Sequence, residues 1–352
     1  MAGRATGIFT GIIAMIALGA ALNMAQSVFT PVAFALFIIA IVWPVQKRLQ
    51  TRLPPLAAVL VTLLVTLAVV GSVLSTVVWG LGHVGQWVFA NLVRFQAVYE
   101  QSTDWLEGHG FVMAGLFADN FDVRWMLRVI QDISSRLNTL ASFLIITFVY
   151  VLLGLLEVDV LRRQVARLKR ADIGAYLIAA TADSARKLQV YMWVRTLMSI
   201  ATGIVVWGFT LMAGLELATA WGAIAFAMNY IPFIGPFVAT LLPTLFAVVQ
   251  SGSWELAALV FCCLNIIQFL TGSYLEPRIA GKALAVSPFM VLIAVFVWSF
   301  IWGLPGAFIG VPILIVALTF FAHSATYHWV ADLLSGQEPA QPEPEEAIEP
   351  AP

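Results

Sequence analysis

What most constrains this chain is a series of apolar stretches of about 20 residues, the length of helix that crosses a roughly 30 Å hydrocarbon core. Residues 7–24, 28–46 and 55–80 carry no charged side chain, and 138–157, 194–214 and 255–274 carry one each. Each of the six is read as a membrane span, which predicts an all-α polytopic membrane protein. Composition agrees: 61% of the 352 residues are hydrophobic and 11% charged, against roughly a quarter charged in soluble proteins. Arg4 ahead of the first run, with small residues near Ala20, also fits a cleaved signal peptide. The second run follows so closely that a tight helical hairpin is the better reading. A net charge of -1 supplies no basic field for nucleic acid. Cys262 and Cys263 are adjacent, so neither a disulfide framework nor a spaced zinc site is available, and they read as small core or lipid-facing residues.

Lys and Arg set the orientation, because short cytoplasmic loops hold an excess of them. Lys47, Arg48 and Arg52 follow the second run, and Arg162, Arg163, Arg167, Lys169 and Arg170 follow the fourth. Both loops are expected in the cytoplasm, with both termini, in an inner membrane. Residues 84–137 then fall outside. There Trp87, Val88, Leu92, Phe95 and Tyr99 recur at helical spacing, as do Met126, Val129, Ile130, Ile133 and Leu137, around the turn "EGHGF". These predict two amphipathic helices outside the membrane, serving as a lid or subunit contact or lying on the bilayer. Residues 158–192 are expected to form a further amphipathic helix on the cytoplasmic side, its basic residues facing anionic headgroups.

Beyond residue 217 the pattern changes. The stretch "NYIPFIGP", Asn229–Pro236, divides an apolar run into halves of 14 residues, 218–231 and 237–250; each half is about 21 Å long as helix and too short to span. Pro232 disfavours helix at Ile231 and removes a donor, Gly235 permits a sharp turn, and Pro236 suits the start of a new helix. The segment is predicted to be a re-entrant hairpin, the alternative being one kinked helix. From Ser287, "SPFMVLIAVFVWSFIWGLPGAFIGVPILIVALTFF" repeats the design around Gly303, Pro305 and Gly306. With the 194–214 span ending outside, the first hairpin enters from outside, 255–274 returns inward, and the second hairpin enters from inside. A helix plus hairpin is thus repeated upside down, with tips near the midplane, where transporters place their sites.

The blocks "NYIPFIGPFVATLLPTLFAV", "LEPRIAG" and "SPFMVLIAVFVWSFIWGLPGAFIGVPI", in that order, resemble the AI-2E transporter family, also called the autoinducer-2 exporter superfamily. The resemblance covers the second half from about Arg186, and the first half only in its pattern of spans. It implies an inner-membrane permease that exports small molecules, with cation/proton antiport proposed for some members. It also implies paired hairpins and a pentameric, elevator-like assembly. Many relatives carry a glutamate three residues after the position of Gln268, where this chain has Thr271. That departure removes a carboxylate of the kind that carries protons or cations through membranes.

Candidate binding residues for a small polar or amphipathic solute follow. At the first tip they are Asn229, Pro232, Gly235 and Pro236, with unpaired carbonyls ending one half-helix and unpaired N–H groups opening the next. On the intervening helix Asn265, Gln268 and Thr271 recur every three residues, lining the path or bonding neighbouring helices. At the second tip they are Trp302, Gly303 and Gly306. Trp298 and Trp302 read first as packing, Tyr191 and Arg195 as interface anchors, and Glu276 and Arg278 as headgroup anchors. His83, His109, His323 and His328 have no i,i+4 pairing, so no metal site is expected. No dinucleotide, Walker, zincin or nucleophile-elbow motif is present, and no catalytic residue or cofactor is predicted. A non-transporting scaffold is the remaining alternative. The Pro/Glu-rich tail from Ser335 is expected to be disordered, having almost nothing to bury.

Overall fold

The computed structural model describes residues 2–108, 124–280 and 286–336. Among them there are helices and no strand: α1 (Ala2–Met24), α2 (Gln26–Gln50), α3 (Pro55–Ala90), α4 (Leu92–Gly108), α5 (Arg124–Ala166), α6 (Ala171–Met212), α7 (Ala218–Met228), α8 (Ile234–Ser251), α9 (Trp254–Gln268), a π-helical segment (Phe269–Leu275), α10 (Glu276–Ala280), α11 (Pro288–Ala322) and α12 (His328–Ser335). Seven described helices are long and apolar enough to cross a membrane, and the protein is an all-α polytopic membrane protein. The helix limits follow local chemistry. Pro55 opens α3 where no N–H is needed, the Ser253 hydroxyl accepts from the Leu256 N–H at the start of α9, and Gly252 and Gly336 end α8 and α12 in left-handed conformation.

Several elements differ from the sequence reading. Only Ala25 separates α1 from α2, and its N–H and carbonyl bonds continue the helical ladder. Phe9, Ile13, Met15, Ile16 and Leu18 are exposed, so the pair is a bent helix and not a packed hairpin. The first outer helix is divided: Trp87 and Val88 belong to the last turn of α3, and α4 begins after Asn91. The helix expected over 158–192 is broken at 167–170, because α5 and α6 run on from the spans themselves. The turn at 109–123, with His109, and the tail at 337–352 lie outside the described residues. So do the side chains of Met126, Val129, Ile130, Ile133 and Leu137, although their backbone is helical.

α6 positions everything else. Its first limb contact is with α7, where Gly203 and Gly222 cross backbone to backbone. A Cβ on Gly222 would lie 2.8 Å from the Gly203 carbonyl oxygen and 2.6 Å from Trp207 Cβ, the small-residue packing by which membrane helices approach without a hydrophobic driving force. At the far end of α6, the Gln250 amide ties the chain leaving α8 to the chain that led into α7. Its Nε2 donates to the Gly214 carbonyl at 2.9 Å and its Oε1 accepts from the Glu216 N–H at 2.8 Å. Trp87 donates its indole N–H to the Glu216 carboxylate, and its ring packs 4.2 Å from that of Phe246, tilted by 48°. The α7–α8 segment therefore begins and ends at the same level, as a hairpin must.

α11 also folds back. A Cβ on Gly310 would lie 2.8 Å from the Ala294 carbonyl oxygen, whereas one straight helix would hold these residues about 24 Å apart. Its mouth is at the opposite end of α6: the Tyr176 hydroxyl donates to the Phe320 carbonyl at 2.8 Å, and Ser287 touches Gly336 at the end of α12. The two mouths are about 55 Å apart along α6. The basic loops share the Tyr176 end, since Lys47 pairs with Asp159 at 2.8 Å and the Arg162 guanidinium lies 5.6 Å from the Trp43 ring centre.

Candidate functional site

At the first tip the reversal is made by Phe233 and not by Gly235. Phe233 has φ 62 and ψ -52, and the Ile234 N–H donates to the Pro232 carbonyl at 2.7 Å, a γ-turn with positive φ at its centre. Such a conformation in a residue with a side chain costs about 1–3 kcal/mol and gathers at functional sites. Gly235 instead permits close approach, since a Cβ there would lie 1.9 Å from the Met228 carbonyl oxygen. The tip is pinned to α6 by two bonds. Asn229 is buried, and its Nδ2 donates to Ser199 Oγ at 3.2 Å; the Tyr230 hydroxyl donates to Thr196 Oγ1 at 3.1 Å.

The second tip repeats the plan. Gly303 makes the turn at φ 65 and ψ -144, a region open essentially to glycine alone. Pro305 and Gly306 are helical, and a Cβ on Gly306 would lie 1.8 Å from the Trp298 carbonyl oxygen. In both hairpins the second limb thus has a proline in its first turn and a glycine against a carbonyl of the first limb. Trp302 donates its indole N–H to the Leu22 carbonyl at 3.1 Å, and Asn23 Nδ2 donates to the Ile301 carbonyl at 2.7 Å. The Trp298 and Trp302 rings lie 4.6 Å apart. The hairpins meet: the Tyr230 and Phe308 ring centres are 6.4 Å apart, and Ile231 and Ile234 pack into the cluster of Tyr191, Trp302, Ala307 and Ile309.

The expected unpaired N–H groups at the first tip are largely consumed. Those of Ile234, Gly235 and Phe237 bond to Pro232, Ile231 and Phe233, and Pro236 has none. Polar capacity must come from side chains. Of the intervening stripe, Gln268 and Thr271 are buried, while Asn265 is exposed and bonds its own helix at the Phe261 carbonyl. The helix leaves α-geometry immediately after Gln268. The π segment over Phe269–Leu275 turns Thr271 inward, where its hydroxyl donates to the Ile267 carbonyl at 2.8 Å; π segments in membrane helices frequently mark functional sites.

Tyr191, Arg195 and Glu276 are not interface anchors. Arg195 is 7% exposed, and its Nη1 donates to both Glu276 carboxylate oxygens, at 2.7 and 2.6 Å. This ion pair, its arginine buried and its carboxylate 20% exposed, ties the middle of α6 to the end of the π segment. Its signal in the sequence is Arg195, the one charge inside the apolar run 194–214, which membrane burial allows only when it is partnered. Ser199, Thr196 and Thr202 have no such signal, as single hydroxyls in an apolar helix carry no distinctive pattern. The antiparallel register that brings Glu276 to Arg195 sets Gln268 and Thr271 near the level of Ser199–Thr202. Along this face four buried polar atoms have no hydrogen-bond partner: Tyr191 Oη, Arg195 Nε, Thr202 Oγ1 and Gln268 Nε2. A buried polar atom left unmatched costs about 1–3 kcal/mol, and these four flank the level at which the first tip is pinned to Thr196 and Ser199. Among the described residues no group of three His, Cys, Asp or Glu side chains comes together in a way that could hold a metal.

Comparison with known proteins bears on this architecture. The chain is 30% identical over 219 residues to the AI-2 transport protein TqsA of Escherichia coli K12, covering 62% of each. It is 29% identical over 177 residues to a putative transport protein of Borreliella burgdorferi, covering 50% of this chain and 49% of that one. It is 32% identical over 124 residues to the putative transport protein YhhT of Escherichia coli K12, covering 35% of each. The chain therefore spans less than two thirds of the length of the curated relatives it matches. The family model described as AI-2E family transporter matches residues 11–326. With that match running from α1 to the loop before α12, through both hairpins and the π segment between them, the chain belongs to the AI-2E transporter family.

Proposed function

We propose that the protein is a transporter that moves a small polar or amphipathic molecule outward across the inner membrane, through a site between the two hairpin tips. The observation that carries this reading is the pair of hairpins opening at opposite ends of α6, with tips that meet near Thr196 and Ser199. Such an arrangement gives each face of the membrane its own blind approach to one shared site, as alternating access requires. The basic end is the cytoplasmic one by the positive-inside rule, and α12 lies on that side beside the mouth of the second hairpin. Family resemblance supports a homo-oligomer, a pentamer, embedded in the bilayer. Outward movement draws on an ion gradient or runs downhill, the chain having no nucleotide-binding motif. Cation/proton antiport has less support, because Thr271 replaces the carboxylate of many relatives and Glu276 is held by Arg195.

The test is efflux from proteoliposomes filled with an isotope-labelled mixture of small metabolites, read by mass spectrometry. AI-2 belongs in the mixture on the name of the Escherichia coli relative. Solutes leaving with the parent protein and retained with Asn229→Leu support the reading. A scaffold would release nothing above empty vesicles.

A further inference from the structure

The unmatched atoms on α6 are chemically one-sided. Arg195 Nε can only donate, and the Tyr191 hydroxyl donates readily to an anionic oxygen. Glu276 brings both its oxygens to a single guanidinium nitrogen, Nη1, so the Nε side of the guanidinium is buried without an acceptor. Tyr191 lies one helical turn before Arg195 on the same buried face, 8% exposed, its hydroxyl beside the guanidinium but in no well-formed hydrogen bond. A guanidinium fork takes carboxylate or phosphate through parallel hydrogen bonds. Water can satisfy such donors, but Glu276 holds only Nη1, so an oxygen anion at the Nε edge can compete with that carboxylate for the one positive charge, as water cannot.

We propose that Arg195 and Tyr191 form a seat for the anionic oxygen group, carboxylate or phosphate, of the transported solute, with Glu276 as the internal occupant that holds Arg195 when the seat is empty. This rests on the transporter reading for the word transported, and on geometry alone for the seat. Glu276 keeps the guanidinium from being an unpaired buried charge. An arriving anion takes the Nε edge and the Tyr191 hydroxyl, and competes with Glu276 for the rest. Because Glu276 closes the π segment, that competition also loosens the tie between α6 and the helix carrying Gln268.

The experiment has two arms. In the first, the purified full chain in lipid-free detergent is titrated with sodium acetate and with inorganic phosphate at constant ionic strength, and thermal unfolding is followed by tryptophan fluorescence. The parent is expected to be stabilised saturably by at least one of the two. Tyr191→Phe, which removes the hydroxyl and leaves the packing in place, is expected to raise the midpoint concentration roughly tenfold. The neutral pair Arg195→Gln with Glu276→Gln is expected to abolish saturation. Equal responses in parent and variants mean an adventitious ion only and overturn the seat, as does no response to either anion. Stabilisation that appears only with phosphatidylglycerol nanodiscs, and not in detergent, assigns the seat to a lipid headgroup and also overturns it. In the second arm, the solutes released in the efflux test are sorted by charge. Release of carboxylates or phosphates supports the proposal. Release of neutral or cationic solutes alone overturns it and leaves the transporter standing. If nothing is released, the transporter reading fails and the detergent titration judges the seat by itself.

Discussion

Gly306→Ala tests the fold-back of the second hairpin directly. The added methyl would start 1.8 Å from the Trp298 carbonyl oxygen, while a carbon and a carbonyl oxygen normally approach to about 3.3 Å. The limbs must therefore part by about 1.5 Å, at a place where Trp302 Cβ is also only 3.1 Å away. The obstacle is backbone, which cannot rotate aside as a side chain can. Overpacking of this kind costs about 1–3 kcal/mol, partly offset by the gain of up to about 1 kcal/mol that alanine brings to a helix. Gly71→Ala in α3 is the control, because nothing lies within 4 Å of its Cβ position. Thermal unfolding in detergent should fall for Gly306→Ala and stay level or rise for Gly71→Ala. Gly303→Ala should fall as well, through backbone strain at φ 65 and not through a clash. If Gly306→Ala unfolds with Gly71→Ala at or above the parent, the two limbs are not in contact and α11 is a bent single span.

Other outcomes follow from the same geometry. With Cys262 and Cys263 replaced by serine, Ser253→Cys should react with a membrane-impermeant thiol reagent from the periplasm and Arg167→Cys should not; the reverse pattern inverts the orientation. Gln250→Leu removes both bonds across the first mouth, at Gly214 and Glu216, and should lower stability by about 1–3 kcal/mol, whereas Gln250→Glu should keep the bond from the Glu216 N–H and lose less. Glu276→Leu leaves Arg195 buried and uncompensated, a loss of about 3–5 kcal/mol that should show as aggregation on size exclusion, and an Arg195→Leu second change should restore a monodisperse peak; aggregation that persists in the double variant sinks the pairing argument.

How much of this was legible without coordinates depends on the range of the physics involved. Apolar length, the clustering of Lys and Arg, and the refusal of proline and glycine to continue a helix act over a few residues, so spans and both hairpin breaks could be read directly from composition and order. Even there, the finer choice escaped: proline and glycine announced a turn at "NYIPFIGP", but which residue would take positive φ depended on Gly235 being needed against Met228, which left the reversal to Phe233. Asn265, Gln268 and Thr271 shared a face by helical counting, yet the π segment after Gln268 and the packing of α9 on α6 buried two and exposed the third. Only the tertiary structure could decide the role of Arg195. Its chemistry is compatible with a headgroup or with a carboxylate, and the carboxylate that claimed it stands 81 residues away in the chain. Desolvating a charge is tolerable only beside an opposite one, and whether such a partner arrives is a property of how helices pack, to which no local rule of sequence has access.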